Sequence, residues 1–184
     1  MQTAIAQEWH SLSSKSDESY STTLIKSTDE SVVVDLVING FYTNEVKTSR
    51  GTSVILSNDD MASLVEAGQP DLISLSLPII INDYSKMDVR VLNTSYVDYP
   101  NVELAPFKGD FPRSINPADV PYTYGDVYQN DAFFPSSQVK LNDPYIIRDF
   151  RGQNMMVYPY AYNPVAKTLR VYTYLRIEAS VKSL

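Results

Sequence analysis

The 184-residue sequence predicts an all-β domain: an antiparallel β-sandwich or barrel-like sheet, interrupted by one long, ordered loop rich in proline and aromatic residues. Three observations predict it. From Ser31 onward, short runs of β-branched, leucine and tyrosine residues alternate with polar ones at the period of a strand. Turn signals such as Asn39-Gly40, Ser49-Arg50-Gly51 and Asn163-Pro164 separate these runs at short intervals. Fourteen tyrosines against six glycines suit half-buried pleated surfaces.

The length fits one domain with at most a tail. Residues 1–30 read as a polar, serine-rich arm, frayed or loosely docked, with Trp9 as its candidate anchor. Residues 31–184 read as a single β domain. In the first strand Val32, Val34, Leu36 and Ile38 alternate with Val33, Asp35 and Val37. Asn39-Gly40 tolerates positive φ and predicts a tight hairpin turn or a bulge. Strands over 41–48 and 52–56 follow. Asn58-Asp59-Asp60 ahead of residues 61–65, closed by Gly68, predicts a very short helix. Residues 72–82 read as a strand in which Pro78 marks an edge or a bulge. Met87, Val89 and Val91 then alternate with Asp88 and Arg90, and residues 96–104 resume as a further strand. Near the C-terminus Asp143-Pro144 opens a strand through Ile146 and Ile147, with a turn at 149–152. Residues 155–162 and 168–181 predict a final hairpin. Its last strand places Leu169, Val171, Thr173, Leu175, Ile177 and Ala179 on one face, and Arg170, Tyr172, Tyr174, Arg176 and Glu178 on the other.

Residues 105–135 break this rhythm. Five of the eleven prolines (Pro106, Pro112, Pro117, Pro121 and Pro135) fall there, and each removes a ladder donor and disfavours helix before it. So long a loop in a compact domain is either functional or disordered. Disordered segments are poor in aromatics, whereas this one carries Phe107, Phe111, Tyr122, Tyr124, Tyr128, Phe133 and Phe134. It therefore reads as an ordered excursion pinned by aromatic anchors, with the cation Arg113 near its middle, between Pro112 and Ser114. An arginine on a stiffened loop has little conformational entropy left to lose on docking, as in loops that offer a specificity residue to a protease.

Several chemistries are excluded or weakened. A net charge of −7 with no Lys/Arg stripe disfavours nucleic acid. The absence of cysteine removes thiol nucleophiles, disulfides and thiolate metal sites. With one histidine, His10, set among Ser11, Ser13 and Ser14, neither a triad nor a zinc site is built, and His10 reads as a solvated surface residue. The Asp59/Asp60 pair would serve a carboxylate hydrolase or a calcium site only in a loop motif that is not present, so no catalytic or metal residue is assigned. No apolar run of 18 residues spans a membrane, and the N-terminal residues lack the apolar core of a signal peptide. Neither a cofactor nor a small-molecule substrate is expected. Arg148, Asp149 and Arg151 could form bidentate pairs that fix a turn. A non-inhibitory adhesion or carbohydrate-binding module is the alternative reading, with Tyr172 and Tyr174 as a sugar-stacking platform.

Five blocks carry a family resemblance: Ala105-Pro106-x-Lys108-Gly109, Pro121-Tyr122-x-Tyr124-Gly125, Asp131-x-Phe133-Phe134-Pro135, Asp143-Pro144-x-Ile146-x-Arg148-Asp149-x-Arg151-Gly152-Gln153, and Tyr162-Asn163-Pro164-Val165-x-Lys167-Thr168-Leu169-Arg170-x-Tyr172-Thr173. In these the chain resembles the N-terminal propeptide of the gingipain-type cysteine peptidases, secreted enzymes of the Bacteroidetes. The resemblance implies a non-catalytic β prodomain that assists folding of its own peptidase and keeps the zymogen latent by covering the active-site cleft. Its partner would be that catalytic domain, and its location exported: periplasmic, outer-surface or extracellular. In the arginine-specific members a propeptide arginine between the Lys-Gly and Pro-Tyr blocks fills the primary specificity pocket, which by position implies Arg113. A lysine-specific partner would shift the role to Lys108. Tyr122, Tyr124, Phe133 and Phe134 would pin the loop, and Arg148, Asp149 and Arg151 would brace its return.

Overall fold

A computed structural model describes residues 7–13, 18–58, 60–64 and 66–182. Among them the regular structure is nearly all strand: β1 (Gln7–Ser11), β2 (Tyr20–Ser27), β3 (Ser31–Ile38), β4 (Gly40–Thr48), β5 (Gly51–Ser57), β6 (Ala62–Ser63), β7 (Ile73–Ile81), β8 (Met87–Tyr99), β9 (Val139–Leu141), β10 (Tyr145–Ile147), β11 (Phe150–Val157), β12 (Tyr160–Asn163) and β13 (Thr168–Val181). Every strand pairing is antiparallel, and no sheet closes into a barrel. The fold class read from period-two alternation is therefore the observed one.

The long β13 is the spine. One of its edges pairs with β8 from Tyr99 to Met87, and the other with β12 and then β3, beyond which lies β2. A second sheet runs β10-β11-β7-β6, with β9 also on β11, and a third runs β1-β4-β5. All three bury one face in a common core: Leu36 and Ile38 from β3, Phe41 from β4, Leu56 from β5, Leu75 and Ile79 from β7, Met155 and Val157 from β11, Leu175 and Ile177 from β13. The alternation predicted for the last strand holds at Leu169, Val171, Leu175, Ile177 and Ala179, all buried, but fails at a register shift in the pairing with β8, where Tyr172 is buried and Thr173 is not. Arg176 and Asp35, on the opposite face, form a two-pronged pair (2.7 and 2.8 Å) that holds the Asp35 carboxyl below its usual range.

Departures from the sequence reading occur where strands change sheet and where a ladder displaces a local preference. Asn39-Gly40 makes neither a hairpin nor a bulge, because β3 and β4 pair with different sheets and the dipeptide turns the corner between them. Its backbone is held from both sides: the Asn39 N–H donates to the Ser19 carbonyl (2.8 Å), and its carbonyl accepts from the Leu12 N–H (2.8 Å). At Gly40 the indole of Trp9 lies in the space a β-carbon would fill, so any other residue there would displace Trp9. The expected strand over 155–162 is two strands, β11 and β12, divided at Pro159, which has no N–H to continue a ladder. Residues 87–99 run as one strand rather than two. The expected helix over 61–65 does not form; Ala62 and Ser63 pair with Ser74 and Ile73, and the Leu64 N–H donates to the Leu72 carbonyl (2.8 Å). So short a helix has little stability of its own, and the ladder wins.

The N-terminal arm is likewise more ordered than its polarity implies. Residues 7–11 pair with β4 and residues 20–27 with β3. The Trp9 ring packs, tilted by 51°, against Tyr42 with centroids 4.6 Å apart. His10 is half-buried, not solvated: it hydrogen-bonds Thr43 Oγ1 (2.9 Å) and lies 4.8 Å from the Phe41 ring. Backbone pairing imposes this order, which the side-chain pattern of a solvated edge strand conceals.

Candidate functional site

The excursion over 105–135 begins inside the fold. The Val54 N–H donates to the Glu103 carbonyl and the Ala105 N–H to the Val54 carbonyl, both at 2.8 Å. On the other side the Asp71 N–H donates to Ala105 (2.9 Å) and the Phe107 N–H to Gln69 (2.8 Å). Residues 104–107 thus lie as an inserted extended segment between β5 and the 68–71 stretch, and Leu104 and Ala105 are fully buried. Farther on, the chain recrosses that stretch, with the Gly125 N–H donating to the Gly68 carbonyl at 2.8 Å. A β-carbon at 125 would lie 2.9 Å from that oxygen, so only glycine allows the approach.

Aromatic side chains bolt this base down, each by a different contact. Tyr128, buried, donates its hydroxyl to the Leu104 carbonyl (2.9 Å). Tyr162 of β12, with no exposure, donates to Val102 (2.8 Å) and accepts from the Leu104 N–H (3.3 Å). Burial raises both phenols, Tyr162 to about 12. Tyr124 donates to Thr48 Oγ1 (2.9 Å) under the Arg50 guanidinium, whose carbon is 3.9 Å from the ring centre. Phe133 stacks on Arg170 at 4.2 Å, while that guanidinium grips Asp98 with two 2.8 Å bonds. Phe134 joins β12 by backbone, exchanging hydrogen bonds with Tyr162 at 2.9 and 2.8 Å.

The tip is built differently. Residues 110–119 bury nothing fully. The Ile115 N–H donates to the Pro112 carbonyl (2.9 Å), which closes a turn with Arg113 and Ser114 at its centre. A short 3-10 helix, Pro117–Asp119, follows, its first turn capped by Asn116 Oδ1 on the Ala118 N–H (3.1 Å). Arg113 is exposed and has no hydrogen-bond or ion-pair partner among the described residues. Lys108 is engaged instead: its ammonium donates to the Pro117 carbonyl (2.8 Å) and sits 4.3 Å over the Tyr122 ring.

The structure brings Tyr122, Tyr124, Phe133 and Phe134 to this loop's base and neck, but not Arg148, Asp149 or Arg151. Those three occupy the β10–β11 hairpin, where Arg148 has a φ of 54°. Arg151 donates to the carbonyls of Asn82 (3.0 Å) and Ser85 (2.8 Å), bracing the β7–β8 turn. The bidentate carboxylate pairs expected there are not made: Arg151 is taken up by those carbonyls, and Arg148 has no partner among the described residues. Tyr172 is 7% exposed and its hydroxyl accepts from Gln138 (2.9 Å), so the stacking platform it was to form with Tyr174 is not available. Asp59 lies outside the described residues; no group of three metal-ligating side chains occurs among those described.

Sequence reasoning missed Arg50, Asp71 and the hydroxyl of Tyr162. Arg50 reads as a turn residue, yet it stacks on Tyr124 and lies 3.9 Å from Glu103, which pairs more closely with Lys167 (2.8 Å). Asp71 has a buried Oδ1 without a hydrogen-bond partner, and burial raises its carboxyl above the ordinary value, against a bond from Ser63. None of these announces itself by spacing, since each depends on segments tens of residues apart.

Comparison with known proteins agrees with this architecture. The family model Propeptide_C25 matches residues 14–183. Gingipain R1 of Porphyromonas gingivalis is 37% identical over 161 residues, covering 87% of this chain and 16% of the relative. Gingipain R2 of the same species is 38% identical over 136 residues, covering 74% and 18%. The chain thus spans less than a fifth of the relatives it matches. Among solved structures, a complex of the P. gingivalis RgpB pro- and mature domains superposes with a TM-score of 0.85 at 33% identity, over 88% of this chain and 84% of that one. A structure described as giving insight into the zymogenic latency of P. gingivalis gingipain K shares the fold, with a TM-score of 0.79 at 20% identity, over 97% and 100%. No helix among the described residues is long and apolar enough to cross a membrane. With the pinned loop, the unbroken antiparallel framework and these matches together, the chain belongs to the C25 propeptide family as a non-catalytic prodomain of the gingipain type.

Proposed function

We propose that this domain keeps an exported, gingipain-like cysteine peptidase latent by lying across its active-site cleft and assists that peptidase's folding, with Arg113 as the substrate-like plug of the specificity pocket. One observation carries the reading. The arginines 50, 90, 151, 170 and 176 are each spent on an internal ring, carboxylate or carbonyl; of the two without such a partner among the described residues, Arg148 lies in the β10–β11 hairpin, whereas Arg113 stands at the apex of a braced turn in the loop. A charged donor set left unpaired on a rigid stalk offers a bidentate guanidinium to an acidic pocket at little further ordering cost. Pro112 sets the entry to the turn and Ser114 follows the plug. Lys108, held by Pro117 and Tyr122, is the weaker candidate for the pocket.

The test is a titration of this domain against a mature arginine-specific gingipain domain, with Arg113→Ala run in parallel. Tight inhibition that the variant loses, at unchanged thermal stability, supports the plug. Equal inhibition by both retains the prodomain and discards Arg113. No inhibition by either leaves a folding assistant.

A further inference from the structure

Arg113 is presented by ten residues that bury nothing fully, so something other than core packing must hold the tip in shape. Resting on the plug reading above, we propose that Lys108 is a positioning residue: its ammonium staples the two legs of the tip together and preorganises Arg113 for the pocket. Lys108 and Pro117 are nine residues apart and are joined by the 2.8 Å bond from Nζ to the Pro117 carbonyl. Arg113 stands near the midpoint of the segment so closed. The same ammonium lies 4.3 Å over the face of Tyr122, just beyond the far leg, so one cation ties entry, exit and neck. Inside the staple, the Pro112–Ile115 turn and the Asn116 cap fix the remaining backbone. Gly109, at a φ of 92°, lets the chain leave the stapled lysine towards the apex.

The staple is polar and half-exposed and fills no buried position, so it contributes to the shape of the tip and little to the stability of the domain. Its loss lets the tip sample many conformers, of which few present the guanidinium correctly. Affinity then falls by the fraction that remains competent. Arginine at 108 can donate the same bond and stack on the same ring, whereas methionine keeps the stem and loses the cation.

The experiment compares wild type, Lys108→Met, Lys108→Arg and Arg113→Ala. Two quantities are read: the backbone amide order of residues 110–116 in the free domain by nitrogen-15 relaxation, and inhibition of the mature arginine-specific domain used above. The expected result is lower amide order and roughly tenfold weaker inhibition for Lys108→Met, the scale of one lost charged hydrogen bond. Melting should be unchanged, and both properties should be largely restored in Lys108→Arg. Unaltered amide order in Lys108→Met overturns the staple. Lower order with undiminished inhibition overturns its role in presentation. Equal inhibition by wild type and Arg113→Ala sinks the plug reading and, with it, the positioning role, while the amide order still decides whether Lys108 holds the loop.

Discussion

The base and the tip of the 105–135 excursion belong to one continuous segment, yet they are held by opposite means. At the base, aromatic rings are buried and their hydroxyls paired, and the backbone threads between β5 and the 68–71 stretch. At the tip, proline stiffness, local turn bonds, one side-chain cap and the Lys108 ammonium shape a segment that remains exposed. The contrast teaches how a domain can hold a loop firmly and still leave a cation unpaired at its tip. Burial is concentrated where the loop touches the core, and the exposed tip is restricted by local polar contacts instead.

Breaking the base should produce the largest effect. Tyr162→Ala empties a fully buried ring position and orphans the Val102 carbonyl, at a cost of about 3–5 kcal/mol. Melting should fall by on the order of 10 °C in a domain of this size, followed by circular dichroism. A melt like wild type's would mean the base is not continuous with the core.

Arg113→Ala is expected to do the reverse. Inhibition should weaken by about 2–4 kcal/mol, the scale of a hot-spot arginine, with melting unchanged. Loss of both together would erase the distinction between base and tip.

A subtler cut is Tyr128→Phe, which removes only the hydroxyl bonded to Leu104. The expected loss is about 1 kcal/mol in denaturant midpoint, with faster amide exchange in the 104–107 segment and an unaltered tip. Faster exchange at 110–116 alone would contradict the proposed division.

The smallest effect concerns pH. Asp71, at the seam between core and loop, has its carboxyl raised by burial, so in the window above the ordinary value of 3.8 the folded state binds more protons than the unfolded one. Its contribution to stability therefore falls as pH rises through that window. Asp71→Asn should melt a few degrees above wild type at pH 7, with the gap narrowing towards pH 4. Asp98 and Asp35 act with the opposite sign, since pairing with Arg170 and Arg176 lowers their carboxyls. Their stabilisation is present above 3.8 and is lost as pH falls through the lowered values. A gap for Asp71→Asn that widens on acidification would refute the assignment of burial as the cause.

Much of this molecule was legible in its residues because a strand's two faces differ in exposure, and alternation records that difference locally. The limits of the last strand, the aromatic character of the loop and the position of Arg113 all follow from such local signals. The blocks around Lys108, Tyr122 and Phe133 also sufficed to place the family, because ordered motifs of mixed residue type seldom arise by chance. Tertiary structure alone decided which sheet each strand joins. It also turned Asn39-Gly40 into a corner, ordered β1 and β2, and sent Arg151 to the β7–β8 turn in place of the loop. It set Arg50 over Tyr124 and Lys108 against Pro117, contacts that determine which cations remain free. The physical reason is range: periodicity reports how a residue meets solvent, while pairing and stacking depend on segments brought together by a core that no single stretch encodes.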